Sequence, residues 1–106
     1  NLPFIPIRTF IISNVPPGKT RAGHSVSCDL VLTCLVGSCA VALHDPQAPR
    51  RELNALEGAG IFVPKRTWLL LENFSPDALL LVHASKHFQK VVYEPHPPDQ
   101  ASDWGE

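Results

Sequence analysis

The sequence predicts an all-β domain built as an antiparallel sandwich, and three observations carry that expectation. Eleven prolines and six glycines punctuate 106 residues, a density of helix breakers that favours short strands and turns over long helices. Between the breakers lie about eight short apolar segments at regular spacing, the pattern of a two-sheet sandwich or barrel. The length suffices for one hydrophobic core and falls short of two, which excludes a two-domain enzyme.

The segments follow in order. Ile5 to Ser13 is β-branched and aromatic and ends at the turn cluster Asn14-Val15-Pro16-Pro17-Gly18. Ser25 to Leu35 reads as a second strand, Gly37 as a tight turn, and Ser38 to Leu43 as the returning arm of a hairpin, with Ser38, Ala40 and Ala42 alternating with Cys39, Val41 and Leu43. After the loop His44 to Pro49 comes a short strand, Glu52 to Leu56, broken by Gly58 and Gly60 before Ile61-Phe62-Val63. Leu56-Glu57-Gly58 is the one place suited to a helical turn. Thr67 to Phe74 and Ala78 to Ala84 are the last strong strands, parted by Ser75-Pro76-Asp77. Leu32, Cys34, Val41, Phe62, Leu71 and Leu80 are expected in the core. Residues 1–93 form the predicted domain. Residues 94–106 have too little apolar content to order themselves and are expected to form an extended tail.

Charge and composition exclude several function classes. Nine basic side chains against ten acidic ones leave a net charge of −1, so there is no electrostatic footprint for nucleic acid and no polybasic membrane patch. The longest apolar runs, such as Leu79 to Val82, fall far short of the roughly 20 residues that span a bilayer. The chain opens on Asn1 with no visible targeting signal. Cys28, Cys34 and Cys39 are odd in number and match neither a redox pair nor a zinc knuckle. They read as free buried thiols, which predicts a reducing, cytoplasmic setting. His83 and His87 are four apart but lack a third ligand. No metal and no other cofactor are expected. His44 and His96 read as solvated.

The order of elements resembles a cupin, a small jelly roll whose inward-facing positions line a cavity, and more specifically the WxcM-like sugar 3,4-ketoisomerases. Five segments carry the resemblance: Ile5-Pro6-Ile7-Arg8-Thr9-Phe10; Arg21-Ala22-Gly23-His24; Leu32-Thr33-Cys34-Leu35-Val36-Gly37-Ser38; Gly60-Ile61-Phe62-Val63-Pro64 followed by Trp68; and Asn73-Phe74-Ser75 leading to Leu80-Leu81-Val82-His83-Ala84-Ser85. Two departures stand out. The family signature Arg-Gly-x-His-Ala-His-Lys carries two alternating histidines that point into the barrel, and with His24 as the first, Val26 takes the place of the second. In an ungapped register from Gly37, Ser25 would hold that place and His24 would face away. Trp68-Leu69 stands where the family has Trp-His.

The resemblance implies a sugar-nucleotide 3,4-ketoisomerase-like homodimer of deoxysugar or cell-surface polysaccharide biosynthesis, acting on or binding dTDP-4-keto-6-deoxyglucose. His24 becomes the candidate acid–base catalyst; taken alone it is more often a satisfied polar residue. Arg8 and Arg21 become candidate pyrophosphate ligands, with surface ion pairing as the competing role. Phe10, Ser25 and Trp68 complete the candidate substrate-binding set, Ser25 as a proton relay and Trp68, like Phe62, as a stacking platform or simply a core aromatic. The alternative is a catalytically inactive cupin module that binds a nucleotide sugar or mediates dimerisation within a larger protein.

Overall fold

The computed structural model describes residues 2–45, 49–86 and 93–94. Nine strands are found among them: β1 (Arg8–Ser13), β2 (Arg21–Val26), β3 (Leu30–Val36), β4 (Ser38–His44), β5 (Arg51–Leu56), β6 (Gly60–Val63), β7 (Trp68–Glu72), β8 (Leu79–Ala84) and β9 (Tyr93–Glu94). They form two antiparallel sheets, a four-stranded one ordered β1-β8-β3-β6 and a five-stranded one ordered β5-β4-β7-β2-β9. The expected sandwich is therefore the fold, and the Leu56-Glu57-Gly58 segment makes a turn without a helix.

Three expectations are corrected. The segment from Ser25 to Leu35 is not one strand: β2 ends at Val26, whose carbonyl accepts the Arg66 amide at 2.7 Å, and β3 begins at Leu30 in the other sheet. β3 and β4 do not form a hairpin either, because they belong to different sheets. Gly37 turns the chain between the sheets with φ 75°, in the left-handed region open to glycine at no steric cost. A Cβ there would collide with Ser75 Oγ, Asp77 Oδ1 and the Ala78 backbone. Ser38 and Ser75 lock the corner, with the Ser38 amide donating to Ser75 Oγ at 2.9 Å and the Ser75 amide donating to the Ser38 carbonyl at 2.9 Å. Third, Phe62 is 43% exposed: it pairs with Val31 on the face of the four-stranded sheet turned away from the core.

Alternation along each strand sorts the rest. In the four-stranded sheet, Ile12, Leu80 and Cys34 lie in one inward row and Phe10, Val82 and Leu32 in the next. From the other sheet Val41, Leu43, Leu69 and Leu71 meet them, and Leu32, Cys34, Val41, Leu71 and Leu80 are each at most 1% exposed. Removing one of these leucine side chains would cost about 2–5 kcal/mol. The outward rows are Thr9 and His83, joined at 3.0 Å, then Ile11, Leu81 and Thr33. Tyr93 and Glu94 pair with Val26 and Ser25 at the edge of the five-stranded sheet, one residue into the predicted tail; the remainder of that tail lies outside the described residues, as does His87.

Candidate functional site

The two sheets do not close on each other along their whole width. A cavity of about 410 Å³ remains between them, lined by Arg8, Phe10 and Ile12 of β1, Leu30 and Leu32 of β3 and Val82 of β8 on one side, and by Arg21, Ala22, His24 and Val26 of β2 with Leu69 and Leu71 of β7 on the other. It reaches the surface along Phe10, Arg21 and Ala22, all exposed. Three of its wall residues, Arg8, Arg21 and His24, carry ionisable groups; the remaining nine are hydrocarbon or aromatic.

Period-two alternation would send Arg21 and His24, three residues apart, to opposite faces of β2. A bulge brings them to the same one. Arg21 pairs with Leu71 and His24 with Leu69, so three steps along β2 match two along β7, with the register shift between Ala22 and His24. Ala22 and Gly23 absorb the extra residue at φ 67° and 77°, as bulges with left-handed residues do. Glycine within a strand-like run is the sequence signal for such a bulge.

Beyond the bulge alternation resumes, and His24 and Val26 both enter the cavity. That decides the register: Val26, and not Ser25, follows His24 on the inner face. Ser25 pairs with Trp68 across β2 and β7; both are buried and neither lines the cavity. The two residues thus stand apart from Arg8, Phe10, Arg21 and His24, which the cavity does bring together, and Phe62 faces outward as well. The hydrocarbon wall of Ile12, Leu30, Leu32, Leu71 and Val82 was not singled out as a site from sequence, because inward positions of strands look alike whether they fill a core or line a hole.

Burial lowers the His24 pKa from its ordinary 6.5, since desolvation penalises the imidazolium. The neutral ring, able to accept a proton, is the form present at neutral pH. Arg8 lies over the Phe10 ring, its guanidinium carbon 4.9 Å from the centroid, which presents a planar cation on an aromatic floor. Among the described residues no three His, Cys, Asp or Glu side chains gather as metal ligands. None of their helices is long and apolar enough to cross a membrane. The cavity can therefore hold an anion through its arginines and move one proton at a time through His24.

Two antiparallel sheets with a cavity between them are the architecture of a cupin-type small-molecule-binding domain, and the solved 3,4-ketoisomerases share it. The chain belongs to the family described as FdtA, WxcM-like, C-terminal, whose model matches residues 1–96. It is 29% identical over 94 residues to the TDP-4-oxo-6-deoxy-alpha-D-glucose-3,4-oxoisomerase of Aneurinibacillus thermoaerophilus, covering 88% of this chain and 68% of that protein. The TDP-quinovose 3,4-ketoisomerase WlaRB of Campylobacter jejuni superposes with a TM-score of 0.82 at 28% identity, over 90% of this chain and 74% of that one. A mutant of the 3,4-ketoisomerase QdtA from Thermoanaerobacterium thermosaccharolyticum, in complex with TDP-4-keto-6-deoxyglucose, superposes with a TM-score of 0.78 at 25% identity, over 86% and 68% of the two chains.

Proposed function

We propose that this chain binds a TDP-linked 4-keto-6-deoxy sugar in the inter-sheet cavity, with His24 as its acid–base group, and serves deoxysugar or cell-surface polysaccharide biosynthesis. The observation that carries the proposal is the β2 bulge, which turns Arg21 and His24 to one cavity wall opposite Arg8. Guanidinium groups offer fork-shaped donors to a diphosphate, and a phosphate held there leaves the sugar to reach His24. Phe10 supplies a surface for the base or the ring. The solved relative that holds TDP-4-keto-6-deoxyglucose supports this ligand.

Moving a carbonyl from C4 to C3 requires that the C3 proton leave, that the electron pair pass into an enediolate, that protons return to C4 and to the C4 oxygen, and that the proton on the C3 oxygen leave. His24 can take the first proton. Val26 and Leu69, which border it, can neither donate nor accept. Missing acid or base groups typically cost about 10²- to 10⁴-fold, so carbonyl migration is expected to be slow while binding persists. The same two hydrocarbons favour the alternative of a pure binding module, and turnover measurement separates the two.

The protein is proposed to be a cytoplasmic homodimer. Ile11, 54% exposed, lies in register with Leu81 on the outer face of the four-stranded sheet, and light scattering at tens of micromolar tests the assembly. The binding proposal is tested by calorimetric titration with TDP and TDP-4-keto-6-deoxyglucose. Saturable binding is expected, weakened about 10-fold or more by Arg21→Ala through loss of charge-assisted hydrogen bonds. Absence of binding by either ligand would overturn it.

A further inference from the structure

We infer that this cavity catalyses exchange of a sugar's hydrogen next to its ketone with solvent, uncoupled from migration of the carbonyl. The inference rests on the ligand proposed above and adds an activity to it. Among the described residues the cavity wall holds one side chain able to take and return a proton at neutral pH, His24. The wall residues next to it, Val26 on the same strand and Leu69 directly opposite on β7, are hydrocarbon.

One base is enough for half of an isomerisation. His24 removes the proton from the carbon beside the ketone; that carbon–hydrogen bond breaks, its electron pair forms the carbon–carbon double bond, and the carbonyl π pair moves onto the oxygen. The resulting enolate forms beside the imidazolium that has just taken the proton, within a largely apolar wall where that charge is strongly felt. Exposed Arg21, Ala22 and Phe10 mark where the cavity meets water, and there the imidazolium trades its proton for one from solvent. Return of that proton to the same carbon restores the ketone with no net oxidation or reduction. Migration needs more: a proton delivered to the former carbonyl carbon, another to the former carbonyl oxygen, and loss of the hydroxyl proton from the neighbouring carbon's oxygen. Val26 and Leu69, which flank His24, can pass none of these protons, so the enolate returns to the starting ketone faster than it goes on.

The test is proton NMR of TDP-4-keto-6-deoxyglucose in deuterated water with a catalytic amount of the chain. The C3 hydrogen should vanish at least about 10-fold faster than the 3-keto isomer accumulates, given the roughly 10²- to 10⁴-fold worth of a missing acid or base. His24→Asn should slow the exchange about 100-fold while TDP still binds in a titration of the same sample, which shows that the variant is folded. Carbonyl migration that keeps pace with exchange would overturn the inference. So would binding of the keto sugar without exchange above that of His24→Asn, which leaves the ligand proposal standing. Failure to bind TDP or the keto sugar would overturn both.

Discussion

His24 on β2 and Leu69 on β7 are directly opposed in the antiparallel pair, and both side chains enter the inter-sheet cavity. The imidazole faces a hydrocarbon across about 5 Å of sheet, so nothing on that side solvates its charge. This is why burial dominates its titration and lowers its pKa below 6.5.

That relationship sets a pH dependence of stability. In the unfolded chain His24 titrates at its ordinary value, so between the folded and unfolded pKa the unfolded state binds more protons. Stability is therefore full above pH 6.5 and falls as the pH drops toward the lowered folded value. Urea midpoints at pH 7.5 and pH 5.5 should differ more in the unaltered chain than in His24→Asn. An equal difference in both contradicts the burial of His24 as its cause.

The corner at Gly37 is expected to be intolerant. Gly37→Ala adds left-handed strain to collisions with Asp77 Oδ1 at 2.6 Å and the Ala78 Cα at 2.9 Å, for a total of about 2–5 kcal/mol. Gly58→Ala, at φ 84° but with open space around its Cβ, should cost only about 1–2 kcal/mol. Denaturant unfolding of the two variants checks the ordering; equal losses would remove the packing argument.

The sandwich was legible because proline, glycine and short apolar runs left little else for the chain to do, and Leu32, Leu71 and Leu80 follow from alternation alone. Pairings between strands distant in sequence were harder. Gly37 was read as a hairpin turn because its neighbours look like two arms of one sheet; only the packing against Ser75 and Ala78 shows that the chain changes sheets there. Alternation and turn spacing also predict Phe62 inside, yet its pairing with Val31 on the outer face puts it outside. At the site, Arg21 and His24 were named from their local context, while the register that separates Val26 from Ser25 depends on a bulge whose position the sequence signals with Gly23 and does not fix.

Cys28, Cys34 and Cys39 are all buried, and desolvation raises each thiol, that of Cys39 to about 11. Thiolate is the reactive form. A disulfide-exchange dye should therefore label none of the three at pH 8 in the native protein and all three in denaturant. Rapid native labelling of any one would contradict its burial.

His24 is proposed as the cavity's acid–base group, and Val26 and Leu69 flank it with side chains that carry no proton. The most direct test is the rate of conversion of TDP-4-keto-6-deoxyglucose to its 3-keto isomer in the unaltered chain, in His24→Ala, and in Val26→His and Leu69→His singly and together. Slow turnover is expected, abolished by His24→Ala and raised by the added histidines by up to about 10²- to 10⁴-fold, with TDP affinity little changed. Robust turnover by the unaltered chain, indifferent to His24→Ala, would contradict that role for His24.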